Sequence, residues 1–325
     1  MTCRDDTAGP PPVAPAAVAP PPASREPGSP LPHLLADPNL AIFEDRFYLY
    51  PTTDGHPDWG ATSFRVYTSP DLVNWDDRGT ALELGRDVRW ARAHAWAPAI
   101  ARKNGLYYLY FTAESNVGVA TATDPAGPFT DVGEPLVPDG RFPGRAIDPS
   151  VFCDDDGVHD LYWGNTTANG VRLNQDMVSF DAAQVVSWTP TQFREAAWVH
   201  EANGRYYLSW SVDDTRHEDY HVQYASGPTP LGPWEEHGVL LAKLPDRGIR
   251  GTGHHSIVQI PGTEIWVIAY HRFAIPGGNG FHREVMFDRL VHRSDGLIER
   301  VVPASTPLRL SLPHHTRGVS NVASR

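Results

Sequence analysis

Short apolar runs, each introduced by a polar turn, recur along this chain at a regular interval. They read "EDRFYLYPTT" from Glu44, "KNGLYYLYFTA" from Lys103, "DDGVHDLYWGN" from Asp155, "ANGRYYLSWS" from Ala202 and "PGTEIWVIAYHR" from Pro261. Each is a turn followed by an aromatic-rich strand, and successive copies lie about 45 to 60 residues apart, a spacing expected of propeller blades. The Asn-Gly and Asp-Gly pairs suit hairpin turns, because glycine accepts the positive φ those turns require. No segment carries a convincing amphipathic helical period.

A second recurring unit follows the first. "TSPDLVNWDDRG" from Thr68, "TDPAGPFTDVG" from Thr123 and "SGPTPLGPWEEHG" from Ser226 each hold a proline, an aromatic residue and a glycine. They predict later strands of the same blades, with turns set by Pro and Gly. A β-sandwich would also be built from short strands alone. Five similar units favour an all-β, five-bladed β-propeller with its blades packed face to face around a channel. The Pro/Ala-rich start, residues 1–30, predicts a disordered tail, since it lacks the large apolar residues needed to offset ordering entropy. Residues 313–325 predict a polar C-terminal tail, which leaves 31–312 as one catalytic-sized domain.

Composition narrows the partners. The chain has 325 residues and a formal net charge of −12. Nucleic acid and anionic membranes need a basic footprint and are therefore not expected. No apolar stretch approaches the roughly 18 residues of a membrane span. Two cysteines, Cys3 and Cys153, make neither a disulfide framework nor a metal pattern. Cys153, within an apolar run, is expected to be a buried free thiol. "MTCRDDTAGP" has no charged-then-apolar leader, which points to a cytoplasmic location, with extracellular as the alternative.

Candidate chemistry begins with a repeated Asp-Pro step. Asp37 in "LADPNLAIF" and Asp148 in "AIDPSVFC" each stand before a proline and then an apolar run. Proline pushes the preceding residue out of the helical region and favours a strand start, so both aspartates are expected in extended geometry where innermost strands begin, facing the channel. Asp-Pro also simply initiates turns. Glu195, in "FREAAWVHEANGRYYLSWS", precedes its aromatic strand by a comparable distance. Glu201 and the "CDDDG" stretch read as solvated hairpin tips. Three acids from three blades would suit two carboxyls working on opposite sides of a glycosidic bond while a third tunes one of them.

The ordered set "ADPNL", "WAPAI", "AIDPSVFCDDDG", "EAAWVHEANGRYYLSWS", "GTGHHSIV" and "YHR" resembles glycoside hydrolase family 43 from about residue 35 to 300. The resemblance implies a five-bladed propeller that hydrolyses arabinosides and xylosides, in some branches galactosides, with inversion. It implies Asp37 as general base, Glu195 as general acid and Asp148 as the carboxylate that raises the acid's pKa. Family members often read Glu-Gly-Pro or Glu-Ala-Pro where this chain has Glu195-Ala196-Ala197. Many also carry an acid after "WAP", where Ala99 stands here.

The same resemblance puts His254 near the channel axis, where members hold calcium through a histidine and waters; a hydrogen-bonded polar plug is the alternative. No cofactor is needed for the chemistry. Arg283 matches the arginine that holds sugar hydroxyls, a role its fork of donors suits. Trp96, with Trp59 and Phe64, is expected to wall the sugar ring. The polar stretches "YPTTDGHPDWGATSFRVY" and "SVDDTRHEDYHVQY" are expected as rim loops that set preference. The partner is an oligosaccharide or polysaccharide. Two rival readings remain at this level, a retaining β-fructosidase of the related propeller clan and a non-catalytic sugar-binding propeller.

Overall fold

The aromatic runs are buried on both faces. In a computed structural model describing residues 28–313, each forms the second strand of a sheet wedged between two neighbouring sheets. Most of both expected tails, and Cys3, lie outside the described residues. Blade 1 comprises β1 (Leu35–Phe43), β2 (Arg46–Thr53), β3 (Ser63–Ser69) and β4 (Asp76–Glu83). Blade 2 comprises β5 (Trp96–Lys103), β6 (Leu106–Ala113), β7 (Asn116–Ala122) and β8 (Thr130–Asp131). Blade 3 holds β9 (Ser150–Cys153), β10 (His159–Trp163), β11 (Ala168–Arg172) and β12 (Val186–Trp188). Blade 4 holds β13 (Phe193–Ala202), β14 (Arg205–Val212), β15 (His221–Gly227) and β16 (Glu235–Leu241). Blade 5 has three strands, β17 (Gly253–Gln259), β18 (Trp266–Phe273) and β19 (Arg283–Leu290). Every sheet is an antiparallel meander in chain order. Among the described residues there is no α-helix, and no helix long and apolar enough to cross a membrane.

The two-residue period of a strand divides each run between two cores. Phe47 and Leu49 of β2 pack with Val267 and Ala269 of blade 5, whereas Tyr48 and Tyr50 pack with Leu109 and Phe111 of blade 2. Tyr108 and Tyr110 meet Leu161 and Trp163; Tyr162 meets Leu208 and Trp210; Tyr207 meets Ile268 and Tyr270. Five blades thus share five interfacial cores, which is the signature of a closed ring. Fully burying one such large side chain contributes roughly 1.5–3 kcal/mol. Ser29 adds to the closing seam, its Oγ donating to Val285 O of β19 at 2.8 Å.

The expected extended geometry before proline is not what the chain adopts. Asp37 and Asp148 have φ of 48° and 57°, in the left-handed region, and the matching residues of the other blades do the same: Ala97 (42°), Ala196 (60°) and His254 (40°). Proline disfavours the right-handed region, which leaves this one open. In β1, β5, β13 and β17 the register slips at this point, a bulge that turns the chain at the channel. Neighbouring blades hold the strained residues. Ala97 N–H donates to Thr52 Oγ1 at 2.7 Å, Asp148 N–H to Thr112 Oγ1 at 2.9 Å, and His254 N–H to Ser211 Oγ at 2.9 Å. Asp37 N lies 3.2 Å from His271 Nδ1.

Two further expectations are corrected. Cys153 is a free thiol, but an exposed one, because it ends β9 just before the acidic hairpin tip. Phe64 is buried among Tyr50, Leu82 and Phe111 in the core between blades 1 and 2, and its alternation with Arg65 turns it away from solvent.

Candidate active site

The five left-handed residues turn the innermost strands and their approaches toward one end of the channel. A hollow of about 190 Å³ opens there, lined by Asp37, Trp96, Ile147, Asp148, Glu195 and His254 from those strands and their approaches. Glu195 is one residue earlier in its blade than Asp37 and Asp148 are in theirs. It precedes the left-handed Ala196, as Trp96 precedes Ala97. Arg283, Trp59, Asn165 and Thr215 complete the wall, and Arg145, Arg194, Asp214 and Arg216 also line the hollow.

The carboxyls differ in their partners. Asp37 faces cationic and polar nitrogens: Arg283 Nη1 at 3.2 Å, His271 Nδ1 at 3.1 Å and His254 Nδ1 at 3.3 Å. Burial alone would raise its pKa, but Arg283, with help from His254 and His271, holds it well below the usual range. Burial keeps His254 neutral, down at about 4, and His271 is lowered as well. Glu195 accepts from Tyr220 Oη at 2.9 Å on Oε1 and from Asn165 Nδ2 at 2.9 Å on Oε2. Burial nevertheless pushes it up, and the Asp37 charge pushes the same way. Asp148 is raised well above the usual range by burial, then by Glu195 and Asp37. One buried carboxyl is thus held ionised while two neighbours are biased toward their protonated forms, the separation acid–base chemistry needs.

Trp96 and Trp59 both line the hollow, joined by a hydrogen bond from Trp96 Nε1 to Trp59 O at 2.7 Å. Trp59 also stacks on Phe281 at a centroid distance of 4.4 Å. Phe64 takes no part. Arg283 is buried, with Asp37 on one side and Asp54 on the other.

His254 is turned toward carboxylates. Its Nδ1 faces Asp37 and, at 3.8 Å, Asp148. Among the described residues no three His, Cys, Asp or Glu side chains are grouped to hold an ion. Deeper along the axis, a hollow of about 20 Å³ lies beside His254 and His255. His255 Nδ1 is buried there without a hydrogen-bond partner, and room for about one water does not match the roughly six to eight oxygens that calcium takes.

Sequence reasoning missed Asp54, Asn165, Tyr220 and His271 as functional residues. Asp54 and Tyr220 stand in the two polar loops already singled out. Asn165 ends an aromatic run and His271 lies in "YHR", so the signal in each case was proximity to a motif and not the residue itself.

Similarity to known proteins gives the family. Residues 29–298 match the family described as glycosyl hydrolases family 43. A β-D-galactofuranosidase of Aspergillus niger is 31% identical over 289 residues, covering 83% of this chain and 84% of the relative. An arabinoxylan arabinofuranohydrolase of Bacillus subtilis is 31% identical over 326 residues, covering 83% and 62%. Among solved structures, a β-xylosidase/α-arabinofuranosidase from a compost microbial metagenome, in complex with xylotriose, superposes with a TM-score of 0.73. It shares 31% identity, over 85% of this chain and 97% of that one. With a matching family model over most of its length, a matching ring of blades and acids gathered at the channel mouth, this chain belongs to glycosyl hydrolases family 43 and is an O-glycoside hydrolase.

Proposed function

We propose that this enzyme releases terminal α-L-arabinofuranosyl or β-D-xylosyl residues from plant-type oligosaccharides or polysaccharides, with inversion at the anomeric carbon. The observation that carries the reading is the placement of Asp37, Asp148 and Glu195, from three separate blades, around one hollow of about 190 Å³. That volume suits a single pentose ring better than a run of sugars. The names of the relatives support the sugar class, since they include xylosidase/arabinosidase and arabinoxylan arabinofuranohydrolase.

In this mechanism Asp37, ionised through its contact with Arg283, takes a proton from a water molecule. The water oxygen bonds to the anomeric carbon from one side as the glycosidic bond breaks on the other. Glu195 passes its proton to the departing oxygen. Asp148 and Glu195 oppose each other's ionisation, which keeps a proton at this pair, and Tyr220 and Asn165 keep the Glu195 carboxyl from rotating away. Trp96 and Trp59 supply apolar surface for the ring. No metal enters any step. Activity requires Asp37 ionised and Glu195 protonated, so the rate falls below the pKa of the first and above that of the second.

Proton NMR during hydrolysis of nitrophenyl α-L-arabinofuranoside and β-D-xylopyranoside tests both parts of the reading. Initial release of the inverted anomer is expected, and Glu195→Gln should lose about 10²–10⁴ of kcat on substrates with poor leaving groups. Initial retention would replace the scheme with the double displacement of β-fructosidase-type propellers. Turnover confined to a galactofuranoside or fructofuranoside would overturn the sugar assignment.

A further inference from the structure

The floor of the hollow is acidic, but its rim is basic. Arg145, Arg194 and Arg216 all line it. Arg194 Nη2 and the Arg216 fork share one carboxylate, Asp214, at 3.1 Å and at 2.7 Å for each of two Arg216 nitrogens. Arg145 is exposed and donates from Nη2 to Ser115 Oγ at 2.6 Å. Among the described residues no carboxylate lies within 4.0 Å of its guanidinium. Arg283, by contrast, is flanked by Asp37 and Asp54. At the rim the three guanidiniums share one rim carboxylate, Asp214, with Glu195 and Asp148 below them on the floor of the hollow, in a chain whose formal net charge is −12.

These arginines stand on a particular side of the reaction. Glu195 delivers its proton to the leaving oxygen, so groups on its outer side face the departing sugar. Arg194 is its chain neighbour, with Nε 3.9 Å from Glu195 Oε2. That Nε is buried and has no hydrogen-bond partner. Arg145 is tied to the same corner, since its N–H donates to the carbonyl of Asn165, whose side chain holds Glu195. When Glu195 carries its catalytic proton it offers no charge to offset either guanidinium.

We propose that the leaving-group site is built for an anionic aglycone: a sugar carrying a carboxylate or a phosphate close to the cleaved linkage, received by Arg145 with Arg194. This rests on the hydrolase reading above and adds the chemistry of the group released. A guanidinium fork suits either anion, because it donates two parallel hydrogen bonds to paired oxygens. The site is open to water, so the gain is modest and salt-sensitive.

Four α-L-arabinofuranosyl disaccharides, or the β-xylosyl series if xylose is preferred, provide the test. They differ only at C6 of the acceptor hexose: glucose, glucuronic acid, its methyl ester, and glucose 6-phosphate. At low ionic strength kcat/KM for the acid or the phosphate should exceed that for the neutral pair by about threefold to tenfold. Whichever anion gains identifies the charge the rim reads. The ratio should shrink toward one in about 0.5 M NaCl, and also in Arg145→Gln at low salt. Equal kcat/KM for acid, phosphate and ester in the wild type would overturn the inference while leaving the hydrolase intact. A preference that survives Arg145→Gln undiminished would also overturn it. No turnover of any of the four in either series would overturn the arabinosyl or xylosyl assignment together with this inference, an outcome distinct from equal turnover of all four.

Discussion

Arg283 Nη1 lies 3.2 Å from Asp37 Oδ1, while Nε and Nη2 of the same side chain clasp Asp54 at 3.0 and 2.9 Å. One buried guanidinium thus joins the first residue of β19 to two carboxylates of blade 1. It is the largest favourable influence holding Asp37 ionised. Arg283→Met should raise the Asp37 pKa and move the acidic limb of the kcat/KM profile to higher pH. It should also cost about 3–5 kcal/mol of stability, because two buried carboxylates lose their partner. Arg283→Lys restores charge without the fork and should recover stability better than rate. Paired pH–rate profiles and thermal melts check both statements.

Tyr220→Phe removes the hydroxyl that donates to Glu195 Oε1. That bond favours the ionised acid, so its loss should raise the Glu195 pKa further. The acid then keeps its proton to higher pH, and the alkaline limb of the profile shifts upward. The carboxyl is less firmly aimed, so kcat should still fall by about tenfold. An alkaline limb that shifts downward would contradict the assignment of Glu195 as the proton donor.

Gly253 protects that tyrosine by having no side chain. A Cβ at this position would lie 2.2 Å from Tyr220 Cε1 and 2.5 Å from Cδ1, far inside contact distance. Gly253→Ala should displace the Tyr220 ring, lower kcat at least as much as Tyr220→Phe does, and cost about 1–3 kcal/mol as an overpacked core site. In the double variant the two losses should not add, since they act through one side chain.

Asp160 offers a test of stability away from the site. It is fully buried on β10, neither oxygen has a hydrogen-bond partner, and Arg172 Nε is 3.8 Å away. Burial raises its pKa to about 6 against the pull of Arg172, with Asp154 and Asp156 adding to the rise. The folded pKa is above the ordinary value, so the unfolded chain releases this proton first. Stability is therefore lost as pH climbs from about 4 to about 6 and stays lower above that. Asp160→Asn should improve Tm relative to wild type by a few degrees more at about pH 7.5 than at about pH 4. A pH-independent Tm difference would show that folding does not raise the Asp160 pKa.

Much of the fold was legible because a propeller writes its period into the chain. Each aromatic run must fill two interfaces, and so Tyr48, Leu49 and Tyr50 are all large and apolar. Phe64 was harder to read. Beside a polar loop an aromatic residue can face core or ligand, and only its pairing with Leu82 in β4 decides for the core. The Asp-Pro steps marked the right places with the wrong backbone. Proline excludes one region of φ/ψ space, but hydrogen bonds to the preceding blade accompany the left-handed alternative.

The linear sequence by itself determined the repeat, the number of blades and the positions at which acids could reach the axis, because side-chain alternation and turn chemistry are local properties. It could not decide which acid would hold a proton. Asp37 meets Arg283 across 246 residues, and Glu195 meets Tyr220 from a loop between β14 and β15. Only closure of the ring brings those charges and donors together in a site dry enough for their differences to set the chemistry.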